Sequence, residues 1–250
     1  MNETVIAALL LITFLAYFIK GLAGFGPALI IVPFFTLLAG MELALPASAL
    51  FDVLAGTLLL FQVYREIEWR FCLPLMLAMG MGSFAGAQLI FHLPLELVRL
   101  GMGIFILFFA LFLWFTAGRS NTPVITAAES GFNKRHFYGM AAGFTGGVFG
   151  GLIGISGPPL IMYMKQVYRK NFFRTQLIVV FMVENLVRLW VYQQNRLFSI
   201  EDGVALLFCL PPLLGGLWLG SRLHLQISET YFNRFIAVIL MGVSLKILWF

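Results

Sequence analysis

Charge is scarce in this chain. Of 250 residues only 11% are charged, while 61% are hydrophobic and the mean hydropathy is +0.96. An average soluble domain carries about 25% charged residues, so a water-soluble enzyme or binding domain is excluded. Cysteine is nearly absent: Cys72 and Cys209 each sit inside an apolar run, which reads as packing and offers neither a disulfide framework nor a metal site. The histidines His92, His136 and His224 fall near the ends of apolar runs without metal-ligand spacing and read as interfacial. There is no phosphate-binding loop, serine-hydrolase elbow or zinc motif, so ATP-driven and hydrolytic mechanisms have no support and no cofactor is expected. A cleavable leader is not expected either, since Asn2 and Glu3 precede the first apolar run and the first positive charge, Lys20, follows it. The formal charge of +5 is spread through short gaps between apolar runs, as in the loops of a membrane protein, and no nucleic-acid partner is expected.

What the chain has in abundance is apolar length. A spanning helix takes about 20 apolar residues, and the stretches 4–40, 43–64, 71–91, 97–118, 137–164, 172–192, 203–223 and 231–250 therefore read as an all-α integral membrane protein. The first and fifth stretches exceed a single pass and are broken in the middle, at Gly21-Leu22-Ala23-Gly24-Phe25-Gly26-Pro27 and at Gly150-Gly151-Leu152-Ile153-Gly154-Ile155-Ser156-Gly157-Pro158-Pro159. With one insertion these breaks match, GLAGFG-PALI against GLIGISGPPLI. Phe71-Cys72-Leu73-Pro74-Leu75 then matches Phe208-Cys209-Leu210-Pro211-Pro212, and the Gly82/Gly86 pair matches Gly216/Gly220. Matches in the same order imply an internal duplication of about 130 residues: an N-terminal repeat at 1–118, a polar linker at 119–136 and a C-terminal repeat at 137–250.

Positive charge tests the topology. If all the stretches cross once, the basic residues divide evenly between the two sides. If the broken stretches fold back as helical hairpins, one side collects Arg65, Arg70, Arg119, Lys134, Arg135, Lys165, Arg169, Lys170, Arg174, Arg222 and Arg234, and the other only Arg99, Arg196 and Lys246. The hairpin reading makes the halves inverted repeats, each a broken hairpin followed by three spans, with both termini outside the cytoplasmic membrane. That layout recurs in secondary transporters.

A break at membrane depth leaves backbone amides without intrahelical partners, which is tolerated only where protein or a watery cavity receives them. Proline is favoured at the first helical position, so Pro27 and Pro158 or Pro159 are expected to open the second arms. Gly24, Gly26, Gly154 and Gly157 permit tight turns and close approach. Half-helix N-termini of this kind attract anions, and Ser156 adds a hydroxyl that the first break lacks. The bland alternative is helix packing by small residues. It is preferred for Gly82/Gly86 and Gly216/Gly220, whereas duplicated proline-terminated breaks favour function.

Ionisable residues inside spans are candidates for coupling or gating. Asp52 lies mid-span without an obvious local partner. Glu184 and Arg188, four residues apart, read equally as a structural ion pair or as a substrate or proton site. Lys20, at the first break, can meet an anion, with snorkelling to the interface as the default.

The motifs GLAGFGPALIIVPFF and GGLIGISGPPLIMYM resemble the sulfite exporter TauE/SafE family, and the likeness in length, span number and duplicated layout covers essentially the whole chain. The resemblance implies transport of sulfite, sulfoacetate or other sulfonates. It carries onto Gly24, Gly26 and Pro27 in the first break and Gly154, Ser156, Gly157 and Pro158 in the second, where the unequal half-sites lean the substrate toward the latter. The expected partners are a small-molecule anion, membrane lipid and a proton or ion co-substrate, and small-residue faces permit a homodimer. Alternating access is the expected mechanism. An anion channel, a non-transporting membrane assembly factor and a membrane enzyme are the alternatives, the last lacking any cluster of His, Cys or carboxylates.

Overall fold

The structure is a computed structural model that describes residues 3–23, 26–116, 132–167, 170–197, 199, 204, 206–222 and 229–249. These residues are helical throughout, with short turns and no strand among them. The helices are α1 (Glu3–Ala23), α2 (Ala28–Ala39), α3 (Met41–Val63), α4 (Trp69–Leu89), α5 (Leu95–Thr116), α6 (Phe132–Ile153), α7 (Gly157–Val167), α8 (Lys170–Gln194), α9 (Leu210–Arg222) and α10 (Glu229–Trp249). Among the described residues, 5 helices are long and apolar enough to cross a membrane. Large side chains such as Phe61, Leu77 and Phe115 are exposed, which suits a surface bathed in hydrocarbon and would be a liability in water.

Both long stretches break where the sequence expects. Gly26 takes φ 96°, open to glycine at little cost. Pro27, at φ −62°, starts the turn into α2, where the amides of Leu29 and Ile31 donate to Gly26 O (3.1 Å) and Pro27 O (2.8 Å). In the second break Gly154, at φ 78°, closes α6 by donating its amide to Gly150 O at 2.9 Å. Gly157 opens α7, and Pro158 and Pro159 fall in the first turn, where the missing N–H removes no intrahelical bond. α7 then runs back along α6: a Cβ on Gly139 would lie 3.1 Å from the Tyr163 ring, and one on Gly146 would lie 2.7 Å from Ser156 O.

The chain divides into two compact units. The first comprises Met1–Ser48, Leu93–Ser120 and Phe198–Phe250, the second Ala49–His92 and Asn121–Leu197. Each therefore takes a hairpin from one sequence half and the helix that receives it from the other. In the second unit α6 lies along α4 through opposed small residues. A Cβ on Gly82 or Gly86 would collide with the Phe144 or Val148 carbonyl, and one on Gly147 or Gly151 with the Met79 or Ser83 carbonyl. In the first unit Gly216 and Gly220 of α9 meet the Phe14 and Phe18 carbonyls of α1 in the same way, and Gly21 returns the contact against Leu217 O (2.7 Å). The glycine pairs are packing surfaces, as the sequence suggests.

The printed contacts also fix helix directions. α1 and α9 run the same way, since Phe14 lies by Gly216 and Phe18 by Gly220. α4 and α8 are parallel too: the Glu68 amide donates to Gln176 Oε1 (3.0 Å) near their starts, and Ser83 Oγ donates to Glu184 O (3.3 Å) further along. α5 and α10 are antiparallel, with Gly103 against Leu248 at one end and Arg234 over the Trp114 ring (5.8 Å) at the other.

Candidate functional site

The second hairpin tip carries the polar interior of its unit. α8 is 25 residues long, and Glu184 lies about 21 Å along it at 1.5 Å per residue, so its carboxylate is near mid-depth rather than at an interface. Glu184, Asn185, Arg188 and Tyr192 follow one helical face and are all buried. That face meets the open end of α6. A helix C-terminus exposes carbonyls without partners; here the Tyr192 hydroxyl donates to Gly151 O at 2.6 Å, and Arg188 Nη1 donates at 3.0 Å to Gly150 O, which also accepts from the Gly154 amide. Arg188 Nη2 also donates to Asn185 Oδ1 at 2.7 Å, and Asn185 Nδ2 donates to Phe181 O at 2.7 Å. The guanidinium is thus spread over a carbonyl, an amide and the Glu184 carboxylate, whose Oε1 lies 3.8 Å from Nη1.

Glu184 faces the other side of the break. Ser156, immediately before α7, donates its hydroxyl to Glu184 Oε2 at 3.2 Å, and the Ser83 hydroxyl of α4 has its single hydrogen between Glu184 O (3.3 Å) and Oε1 (3.4 Å). Ser156 holds the N-cap position of α7, but the amides that a capping serine accepts belong here to Pro158 and Pro159, which have no N–H; its own hydrogen goes to a carboxylate. A Cβ on Gly150 would collide with Glu184 Oε1 and stand 2.6 Å from Ser156 Cβ, so only glycine admits the carboxylate to the tip. A Cβ on Gly157 would meet the flexible end of Ile161 at 3.0 Å and the Phe181 ring at 3.9 Å. Asp52, buried on α3 in the same unit, acts electrostatically on Glu184.

The structure therefore brings together Gly154, Ser156, Gly157, Pro158, Glu184 and Arg188, with Asp52 nearby. Gly26, Pro27 and Lys20 belong to the other hairpin, in the first unit, and Gly24 lies outside the described residues. Lys20 departs from the snorkelling default: it is buried, with its ammonium 5.5 Å from the Tyr17 ring centre. Ser83, Asn185 and Tyr192 were not singled out by sequence. The signal for Asn185 and Tyr192 was the polar stripe continuing from Glu184 and Arg188; Ser83, between glycines, gave none. Both cysteines are buried thiols, and His92 Nδ1 donates to Gln88 O (3.0 Å) on the surface. No cluster of metal-ligating side chains occurs among the described residues.

Tyr192→Phe should cost about 1–3 kcal/mol, the cost of leaving a buried carbonyl unsatisfied. Thermal unfolding in detergent reads it, and an unchanged midpoint would mean that water takes the place of the hydroxyl.

Broken helices that turn back on themselves, 5 helices long and apolar enough to cross a membrane among the described residues, and a buried polar tip suit a multi-pass membrane protein. The model of the sulfite exporter TauE/SafE family matches residues 9–247, nearly the full chain, and the protein belongs to this family of membrane transporters. No curated protein and no solved structure matches the chain.

Proposed function

We propose that the protein carries small sulfur-containing or organic anions, among them sulfite, sulfoacetate and other sulfonates, across the cytoplasmic membrane by alternating access, with the anion held at half-helix N-termini such as that of α7. One observation carries this reading: at mid-depth, the hydroxyl of Ser156, the residue that precedes α7, is given to a carboxylate at 3.2 Å. A group that receives one anion can receive another. The family supports the substrate class.

The helix directions support the re-entrant topology. Were both broken stretches to cross once, alternation would make α4 and α8 antiparallel and α5 and α10 parallel, the reverse of the observed directions. A second stretch that turns back, with a first that crosses, would set α1 against α9, which run together. Hairpins at both breaks satisfy all of these pairs and agree with the positive-inside count, which puts both termini outside.

Uptake of labelled sulfite, sulfoacetate and sulfate into proteoliposomes tests the reading. Saturable uptake of at least one anion is expected, and Ser156→Ala should raise its KM about tenfold, since a hydrogen bond to a charged group contributes about 1.5–3 kcal/mol. Kinetics indifferent to Ser156→Ala and to Gly157→Leu would remove the site from this tip, and no saturable uptake of any anion would overturn transport of this class.

A further inference from the structure

The Glu184 carboxylate sits where the transporter reading seats its substrate. It takes the Ser156 hydroxyl on Oε2, and on Oε1 it shares the Ser83 hydroxyl with its own backbone carbonyl. Resting on that reading, we propose that Glu184 is a tethered competitor for the anion site, and that its protonation couples one proton to each anion carried.

The Ser156 hydroxyl has a single hydrogen, which can go to Glu184 or to a bound anion but not to both. An ionised Glu184 also places a second negative charge within hydrogen-bond reach of the incoming one, in a buried setting where such repulsion is little screened. Protonation relieves both conflicts. The proton binds a carboxyl oxygen, the Ser156 hydrogen transfers its bond from that oxygen to the anion, and the neutral carboxyl becomes a donor able to face the anion as well. On the other side of the membrane the anion leaves, the carboxyl loses its proton and Ser156 returns to it. Charge balance points the same way: one anion and one proton enter and leave together, so the net charge of the buried site is the same loaded and empty.

Arg188 is not arranged to do this. It is engaged by Gly150 O and Asn185 Oδ1, so its charge stays in place when the carboxylate moves. Among the described residues, Arg188 on its own helix and Asp52 on α3 act electrostatically on Glu184, and Tyr192 lies about one turn beyond Arg188 on the same face. The helices packed against it from α4, α6 and α7 present Ser83, Gly150 and Ser156.

The test uses the whole chain in voltage-clamped proteoliposomes with a pH-sensitive dye inside, and ethanesulfonate and sulfate as probes, because neither binds a proton near neutrality. Influx of the transported probe should bring protons with it, one per ethanesulfonate. Uptake should fall about tenfold per unit rise in external pH on its alkaline limb, the slope of a single required proton. Glu184→Gln should still exchange probe for probe, at a rate that no longer follows pH, and should carry no protons. Probe influx without protons in the wild type would overturn the proposal, whether or not the variant folds, as would proton flux persisting in Glu184→Gln. Saturable sulfite uptake unaccompanied by either probe would overturn the shared site for strong anions. No uptake of sulfite, ethanesulfonate or sulfate would bring down the transporter reading itself, a result distinct from proton-free influx.

Discussion

Gly86→Leu is expected to yield little or no folded protein in detergent extracts, whereas Gly101→Leu should behave as wild type. A Cβ at Gly86 would overlap the Val148 carbonyl and lie 2.9 Å from its carbon, and neither atom can swing away because both belong to the backbone of α6. Overpacking a core ordinarily costs about 1–3 kcal/mol through side-chain shifts. Here the whole of α6 must back away from α4, and the loss spreads to the neighbouring contacts at Gly82, Gly147 and Gly151, so the cost should exceed that range. At Gly101 a Cβ meets nothing within 4 Å, so leucine there adds lipid-facing surface and improves helix propensity. Size-exclusion profiles and thermal midpoints of the two variants form the comparison. A well-folded Gly86→Leu protein would mean that α4 and α6 do not interlock through these residues.

Arg188→Gln should destabilise by about 3–5 kcal/mol, the usual result of stripping one partner from a buried ion pair. It strands the Glu184 carboxylate without its cation and removes one of two donors to Gly150 O, the other being the Gly154 amide. Combining it with Glu184→Gln should recover much of the loss, because two neutral amides leave no unpaired charge. Thermal unfolding of the wild type, both single variants and the double variant closes the cycle. Additive losses would show that the ion pair does not couple the two residues, and that Arg188 matters only through Gly150 and Asn185.

The spans were legible almost to their ends. The stretches 71–91, 97–118 and 172–192 appear as Trp69–Leu89, Leu95–Thr116 and Lys170–Gln194. Hydrocarbon thickness sets their length, and any apolar run of that length must satisfy its backbone internally, so no tertiary information is needed. The breaks were legible for a related reason: Gly154 with a left-handed backbone and prolines in the first turn of α7 are local constraints. The site was legible only in part. Ser156, Glu184 and Arg188 could each be named as candidates, but nothing in the spacing of residues 156 and 184 says that they touch. The division of Arg188 among three partners is likewise invisible in a sequence where only Glu184 lies at the expected interval. The burial of Lys20 beside Tyr17 was not legible, because snorkelling is a property of an isolated helix end and burial depends on what surrounds α1.

By itself, then, the sequence determined that the chain lives in a membrane, how many apolar stretches it has, where two of them break and that its halves echo one another. These follow from composition, length and local backbone chemistry. Only the tertiary structure decided that each hairpin packs against a helix from the other sequence half, through carbonyls that tolerate nothing larger than glycine. It also decided that the Ser156 hydroxyl is given to Glu184 and the α6 carbonyls to Arg188 and Tyr192. The reason is physical: a buried donor must find an acceptor, but which acceptor is a matter of which helices meet, and that is fixed by packing over the whole unit rather than by any one stretch of chain.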